Sequence, residues 1–107
     1  MVARSIVEIV RNYLHRVSEH GIPVSYGVLF GSQARDAATE WSDIDVLVVS
    51  PHFDGTKDFD EVNKLWELTV DTDSRLEPIP VGEREWKEDD SRAIIEIARR
   101  EGLVIDV

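Results

Sequence analysis

The stretch Asp43-Ile44-Asp45-Val46-Leu47-Val48-Val49 constrains the fold of this chain more than any other. Its last four residues are all apolar and mostly β-branched, with neither polar alternation nor helical spacing. A short run of this kind is a strand buried on both faces. Both faces of its sheet must then be covered, and in a short chain that calls for helices on either side. At 107 residues one modest core is the expected limit, so a single domain over 1–107 is predicted.

The remaining segments supply those helices. Ile6, Val10, Tyr13, Leu14 and Val17 recur at three- and four-residue spacing and predict an amphipathic helix over 4–20, stopped by Gly21 and Pro23. Residues 24–30 form a short apolar strand. Gly31-Ser32 followed by alanines predicts a short helix over 32–38. Ser50–Thr56, with Pro51 and Gly55, is a loop. Asp58 with Glu61 resembles a capping box and opens a helix to about Val70, with Phe59, Val62, Leu65 and Trp66 facing inward. Residues 75–81 read as a strand containing Pro78 and Pro80. Backbone N–H groups two apart point to the same side, so both missing donors fall on one side and the strand belongs at an edge. A helical turn over 83–88, a helix over 91–101 ended by Gly102, and a final strand over 103–107 complete the chain. The predicted class is α/β (α+β): a small mixed central sheet of about four strands covered by helices.

Twelve basic against 22 acidic side chains give a net charge of −10. That argues against gripping nucleic acid by its net field, which takes basic patches. Clusters such as Asp58/Asp60/Glu61 and Glu83 to Asp90 suit a solvated surface. The absence of cysteine excludes disulfides, thiolate metal sites and cysteine nucleophiles. No stretch approaches the ~20 apolar residues of a membrane span, and the charged start of the chain lacks a signal peptide's apolar block. A cytoplasmic address is the default expectation.

Two pieces of sequence can carry chemistry. An apolar strand ends at Phe30, and Gly31-Ser32 then opens a turn of helix where free N–H groups can meet an anion. Taken alone this signal is weak, because Gly-Ser before a helix is more often a plain N-cap. Asp43 and Asp45 stand two apart in a strand, so both carboxylates project from one face. Their repulsion is relieved by a shared divalent cation. An isolated Asp-x-Asp also fits capping and solvation, although the Val-Leu-Val-Val that follows is a poor place for a purely solvating charge. Phosphate-loop, dinucleotide and serine-elbow motifs are absent. His15, His20 and His52 lack ligand spacing. Trp41, Trp66 and Trp86 suit core or interface packing.

Taken together, the pieces form Gly-Ser-x10-Asp-x-Asp in a strand–helix–strand setting. This pattern resembles the nucleotidyltransferase superfamily that includes DNA polymerase β, and more closely its minimal nucleotidyltransferases (MNT). The resemblance implies that Gly31 and Ser32 hold the β- and γ-phosphates of a nucleoside triphosphate. It also implies that Asp43 and Asp45 bind two Mg2+ ions. The family's third carboxylate falls best on Glu77, the acid inside the later strand, where many relatives have aspartate. Asp71 and Asp73 are rivals in the connecting turn. Arg35 either faces the same phosphates or makes a surface ion pair, and Asp36 follows it where many relatives have glycine. The implied reaction moves a nucleoside monophosphate, AMP from ATP, to an acceptor hydroxyl. Minimal members are typically paired with a HEPN-domain toxin, which implies an antitoxin role toward such a partner, with homo-oligomers also compatible. The alternatives are a non-catalytic module that neutralises its partner by association, or a small-molecule transferase with a separate acceptor-binding subunit.

Overall fold

A computed structural model describes residues 3–35, 37–39 and 41–107. The elements are α1 (Arg4–Glu19), β1 (Tyr26–Phe30), β2 (Ile44–Val49), α2 (Phe59–Thr72), β3 (Leu76–Val81), α3 (Glu83–Glu88), α4 (Ala93–Glu101) and β4 (Leu103–Asp106). They build one four-stranded mixed sheet in the order β3-β2-β1-β4. β1 runs antiparallel to both β2 and β4, while β2 and β3 are parallel and joined by the crossover helix α2.

β2 lies inside the sheet and is covered on both faces, as its apolar run requires. Ile44, Val46 and Val48 pack with Val10, Tyr13, Leu14, Leu65 and Leu68 of α1 and α2. Leu47 and Val49 face the other way, toward Ile95 and Ala98 of α4. α1 buries the predicted stripe Ile6, Val10, Tyr13, Leu14 and Val17. It ends in a Schellman closure. The Gly21 N–H donates to the Ser18 carbonyl at 3.1 Å and the Ile22 N–H to Val17 at 3.3 Å, with Gly21 at φ +94°. The buried Tyr13 hydroxyl donates to the Leu65 carbonyl at 2.7 Å, which ties α1 to α2.

Two expectations change. The helix expected over 32–38 contracts to a 3-10 turn at Gly31–Gln33, extended by Ala34 N–H and Arg35 N–H donating to the Gly31 carbonyl at 3.1 and 3.2 Å. Position 36 lies outside the described residues. Alanines favour a helix, but so short a segment carries no apolar stripe to offset the cost of nucleation. On α2, Asp58 caps the Asp60 and Glu61 N–H groups at 2.8 and 3.2 Å as expected. Its inward stripe, however, is Leu65, Leu68 and Thr69, with Phe59 and Trp66 turned outward at 78% and 46% exposure. Phe59 and Trp66, seven residues apart, share one line, and that line is about 100° around the helix from Leu65. The Glu61 carboxylate meets His52 at 2.7 Å, and the capping box is half-made.

β3 is an edge strand, as its two prolines demand. On the α4 face, Tyr26 meets Trp86 edge-on at 6.5 Å, and the Arg99 guanidinium sits 5.6 Å over the Trp86 ring. Gly102 turns α4 directly into β4. A Cβ there would strike the Ala98 carbonyl and come within 2.6 Å of Val28, so only glycine fits. No helix among the described residues is long and apolar enough to cross a membrane.

Candidate active site

Three strands meet where β1 ends and β2 and β3 begin. Asp45 is the ladder partner of Phe30 on one side and of Glu77 on the other. Directly paired residues project from one face, so the Asp45 and Glu77 carboxyl groups are neighbours on the α4 side of the sheet. Asp43 precedes β2 by one residue and shares their face by two-residue periodicity. The adjacent Ile44 N–H donates to the Arg75 carbonyl at 2.8 Å, which fixes the entry into β2 against the entry into β3. Asp43 is exposed, whereas Asp45 and Glu77 are half-buried. The Glu77 carboxyl is held above the ordinary glutamate range. The largest cause is its hydrogen bond with Asp45, followed by burial, then the negative charges of Asp43 and Asp45. These acids therefore act on one another, which is the arrangement that the Asp-x-Asp spacing suggests and that Glu77 extends.

Gly31 closes the site from the β1 side. Its φ is +76°, and a Cβ at this position would land on the Asp45 carboxylate. Conformation and close approach each demand glycine. Ser32 follows, half-buried in the 3-10 turn. Beside it, Gln33 is buried and its amide reaches the Ser42 carbonyl at 3.5 Å, linking this turn to the segment that leads into Asp43. Sequence reasoning passes over Gln33, because a polar residue in a loop carries no periodicity that betrays burial.

The other candidates are engaged elsewhere. Asp71 lies in the last turn of α2, not in a connecting turn, and pairs with Arg16 at 3.6 Å. Asp73 receives hydrogen bonds from the Arg75 guanidinium at 2.9 and 3.1 Å and from the Arg75 N–H at 2.9 Å. Those contacts hold its carboxyl below the usual aspartate range. Arg35 is exposed and pairs with Glu101 at 3.8 Å. Trp41 is 84% exposed on the approach to Asp43, which excludes core packing for it. Its turn is held by the Thr39 N–H donating to the Ser42 hydroxyl at 2.8 Å.

The donor set is all carboxylate oxygen, the chemistry that hard divalent cations such as Mg2+ take. Among the described residues no three or more histidine, cysteine or carboxylate side chains are already gathered so as to hold a metal ion. The three acids share one end of the sheet, with Asp43 exposed. Mg2+ is commonly held by one or two carboxylates plus a substrate's phosphates, so a gathered cluster of three is not required.

Comparison with known proteins identifies the family and the fold. The nucleotidyltransferase domain family matches residues 10–102, and the chain belongs to that family. A candidate nucleotidyltransferase from Sulfolobus solfataricus shares the fold with a TM-score of 0.67, covering 94% of this chain and 78% of its own at 17% identity. A toxin–antitoxin structure solved with AMP-PNP shares it with a TM-score of 0.61, covering 88% and 70% at 20% identity. No match is found among curated proteins.

Proposed function

We propose that this single domain transfers AMP from ATP, with Mg2+, to a hydroxyl of a partner protein. In this reading it is the antitoxin of a toxin–antitoxin pair whose toxin is of the HEPN type, acting in the cytoplasm. The observation that carries the reading is the convergence of Asp43, Asp45 and Glu77 against the glycine backbone at position 31. Membership of the nucleotidyltransferase family sets the reaction type. The neighbour solved as a toxin–antitoxin with AMP-PNP supports the adenine nucleotide and the partner.

Asp43 and Asp45 would hold the two Mg2+ ions, with Glu77 completing the acceptor side. When bound, the ions neutralise triphosphate charge and make the acceptor hydroxyl a better nucleophile. The residues of the chain do the rest. The turn at Gly31 and Ser32 brings backbone N–H groups and one hydroxyl to the β- and γ-phosphates, with no side chain at position 31 to keep them away. The common face of β2 and β3 lines the acceptor oxygen up with the α-phosphorus. The new O–P bond forms as the bond to pyrophosphate breaks, and the hydroxyl proton leaves on the Glu77 side. α2, on the face of the sheet away from the carboxylates, presents Phe59, Trp66 and Val70 beside Asp58 and Asp60, a surface on which a basic partner can dock apart from the acceptor hydroxyl.

The test is incubation with α-labelled ATP and Mg2+, with and without a co-expressed partner, followed by mass measurement of both proteins. Label on the partner that disappears in Asp43→Asn/Asp45→Asn is the expected result. Undiminished transfer by that double variant would overturn the assignment. Neutralisation of the partner that survives loss of both aspartates would instead establish the binding-module reading.

A further inference from the structure

The chain holds three tryptophans, two tyrosines and three phenylalanines, and their placement around the acids is uneven. Tyr13, Phe30 and Phe53 are buried. Tyr26 and Trp86 meet one another edge-on, with Arg99 over the Trp86 ring. Phe59 and Trp66 lie on α2, across the sheet from Asp45 and Glu77. Trp41 remains, two residues ahead of Asp43, and at 84% it is the most exposed large apolar side chain among the described residues. Among those residues its ring meets no other ring and no cation. The turn that carries it is nonetheless fixed. The Ser42 N–H donates to the Thr39 carbonyl at 3.1 Å, the Thr39 N–H to the Ser42 hydroxyl at 2.8 Å, and the Trp41 N–H to the Thr39 hydroxyl at 3.3 Å. The Gln33 amide donates to the Ser42 carbonyl at 3.5 Å, which moors the turn to the segment of Gly31 and Ser32. Two residues of chain span at most about 7 Å, so the Trp41 backbone stands that close to Asp43.

Given the transfer reaction proposed above, on which this inference rests, an in-line displacement sets acceptor and pyrophosphate at opposite ends of one line. Glu77 on β3 and Gly31 after β1 flank Asp45 on its two sides, so that line runs across the strands. The nucleoside must leave the α-phosphorus off the line. Inward along the same face stands Leu47, buried with Ile95 and Ala98 of α4. Outward, past the start of β2, lie Asp43, Ser42 and Trp41. We propose that Trp41 is the nucleobase platform of the site, its indole stacking on the base of the bound nucleoside triphosphate. The acids and the turn at Gly31 address metal, phosphate and hydroxyl, and the base is the one flat, weakly polar part of that substrate. Stacking accepts any base and strengthens with ring area, so purines are favoured over pyrimidines.

Calorimetric titration of the whole chain with ATP and Mg2+, beside UTP and inorganic triphosphate, tests this. Trp41→Ala should weaken ATP about tenfold or more, weaken UTP less, and leave inorganic triphosphate unchanged. Trp41→Phe should keep most of the native affinity. Indole fluorescence should be quenched by ATP but not by inorganic triphosphate, and Trp41→Phe should lose that quenching. Native affinity for ATP in Trp41→Ala overturns the platform while leaving the transfer reaction standing; if labelling of the partner is lost in that variant, the ring serves the protein acceptor instead. An equal loss of ATP and inorganic triphosphate also overturns it, because the ring would then only support the turn. A native chain that does not bind ATP at all overturns both readings.

Discussion

The two edges of the sheet carry different chemistry. β3 combines the Glu77 carboxyl with two prolines, so it faces the proposed reaction and refuses a further strand. β4 carries nothing of the site, and among the described residues no strand pairs with its outer side, where the Asp106 carbonyl accepts from Arg11 at 3.3 Å. The contrast teaches that one edge of a small sheet can carry the chemistry while the other only closes the core. On β3 the prolines leave the ladder to β2 intact, because the missing N–H groups point outward, and Glu77 is held in register with Asp45.

Breaking the β3 side gives the largest expected effect. Glu77→Gln should lower turnover roughly a hundredfold or more, since the acceptor proton leaves on that side, with nucleotide binding largely kept. Steady-state rates beside a nucleotide-binding titration separate the two, and unchanged turnover would remove Glu77 from the site. Next come two glycines at the C-terminal end of β1: Gly31 follows it directly, and Gly102 precedes Leu103, the partner of Leu29. Gly31→Ala should strain a left-handed residue and press on Asp45, costing about 1–3 kcal/mol and abolishing transfer. Gly102→Ala should cost a similar amount through its clash with the Ala98 carbonyl, measured by urea unfolding, and transfer per folded molecule should persist.

A smaller effect concerns acid. Asp73 is bound by Arg75 at the start of β3, and its folded-state pKa is lowered. The stability it contributes is full above its unfolded pKa and is lost as pH falls through the lower folded value. Thermal melts at decreasing acidic pH should show this loss in the native chain and a shallower one in Asp73→Asn. The smallest effect on stability belongs to Trp41→Ala. At 84% exposure the ring contributes little to packing, so the melting temperature should barely move; a clear drop would show that the ring is buried in solution.

Much of this was legible in the residues, and the failures have physical causes. α1 and β2 announce themselves because their apolar positions repeat cleanly, and Pro78 with Pro80 places β3 at an edge before any pairing is known. The short helix expected after Ser32 failed because propensity without a packed stripe is weak. Phe59 and Trp66 faced outward because an apolar residue reports preference, and only the neighbours of Leu65 decide which stripe is buried. Within the site, Asp43 and Asp45 share a face by arithmetic alone. The pairing of Asp45 with Glu77 depends on register between strands joined by a whole helix, and the press of Gly31 on Asp45 depends on the path of the chain after β1. Neither is a local property.

The ladder through Phe30, Asp45 and Glu77 has a consequence for how the protein acquires its activity. Those residues come from three separate segments, and a slip of one residue in any strand would turn its side chain to the opposite face. No fragment or half-folded intermediate can therefore assemble the proposed centre. Competence would appear only with the complete sheet and vanish with its first loss of register, so the activity would serve as a gauge of whether the chain has finished folding.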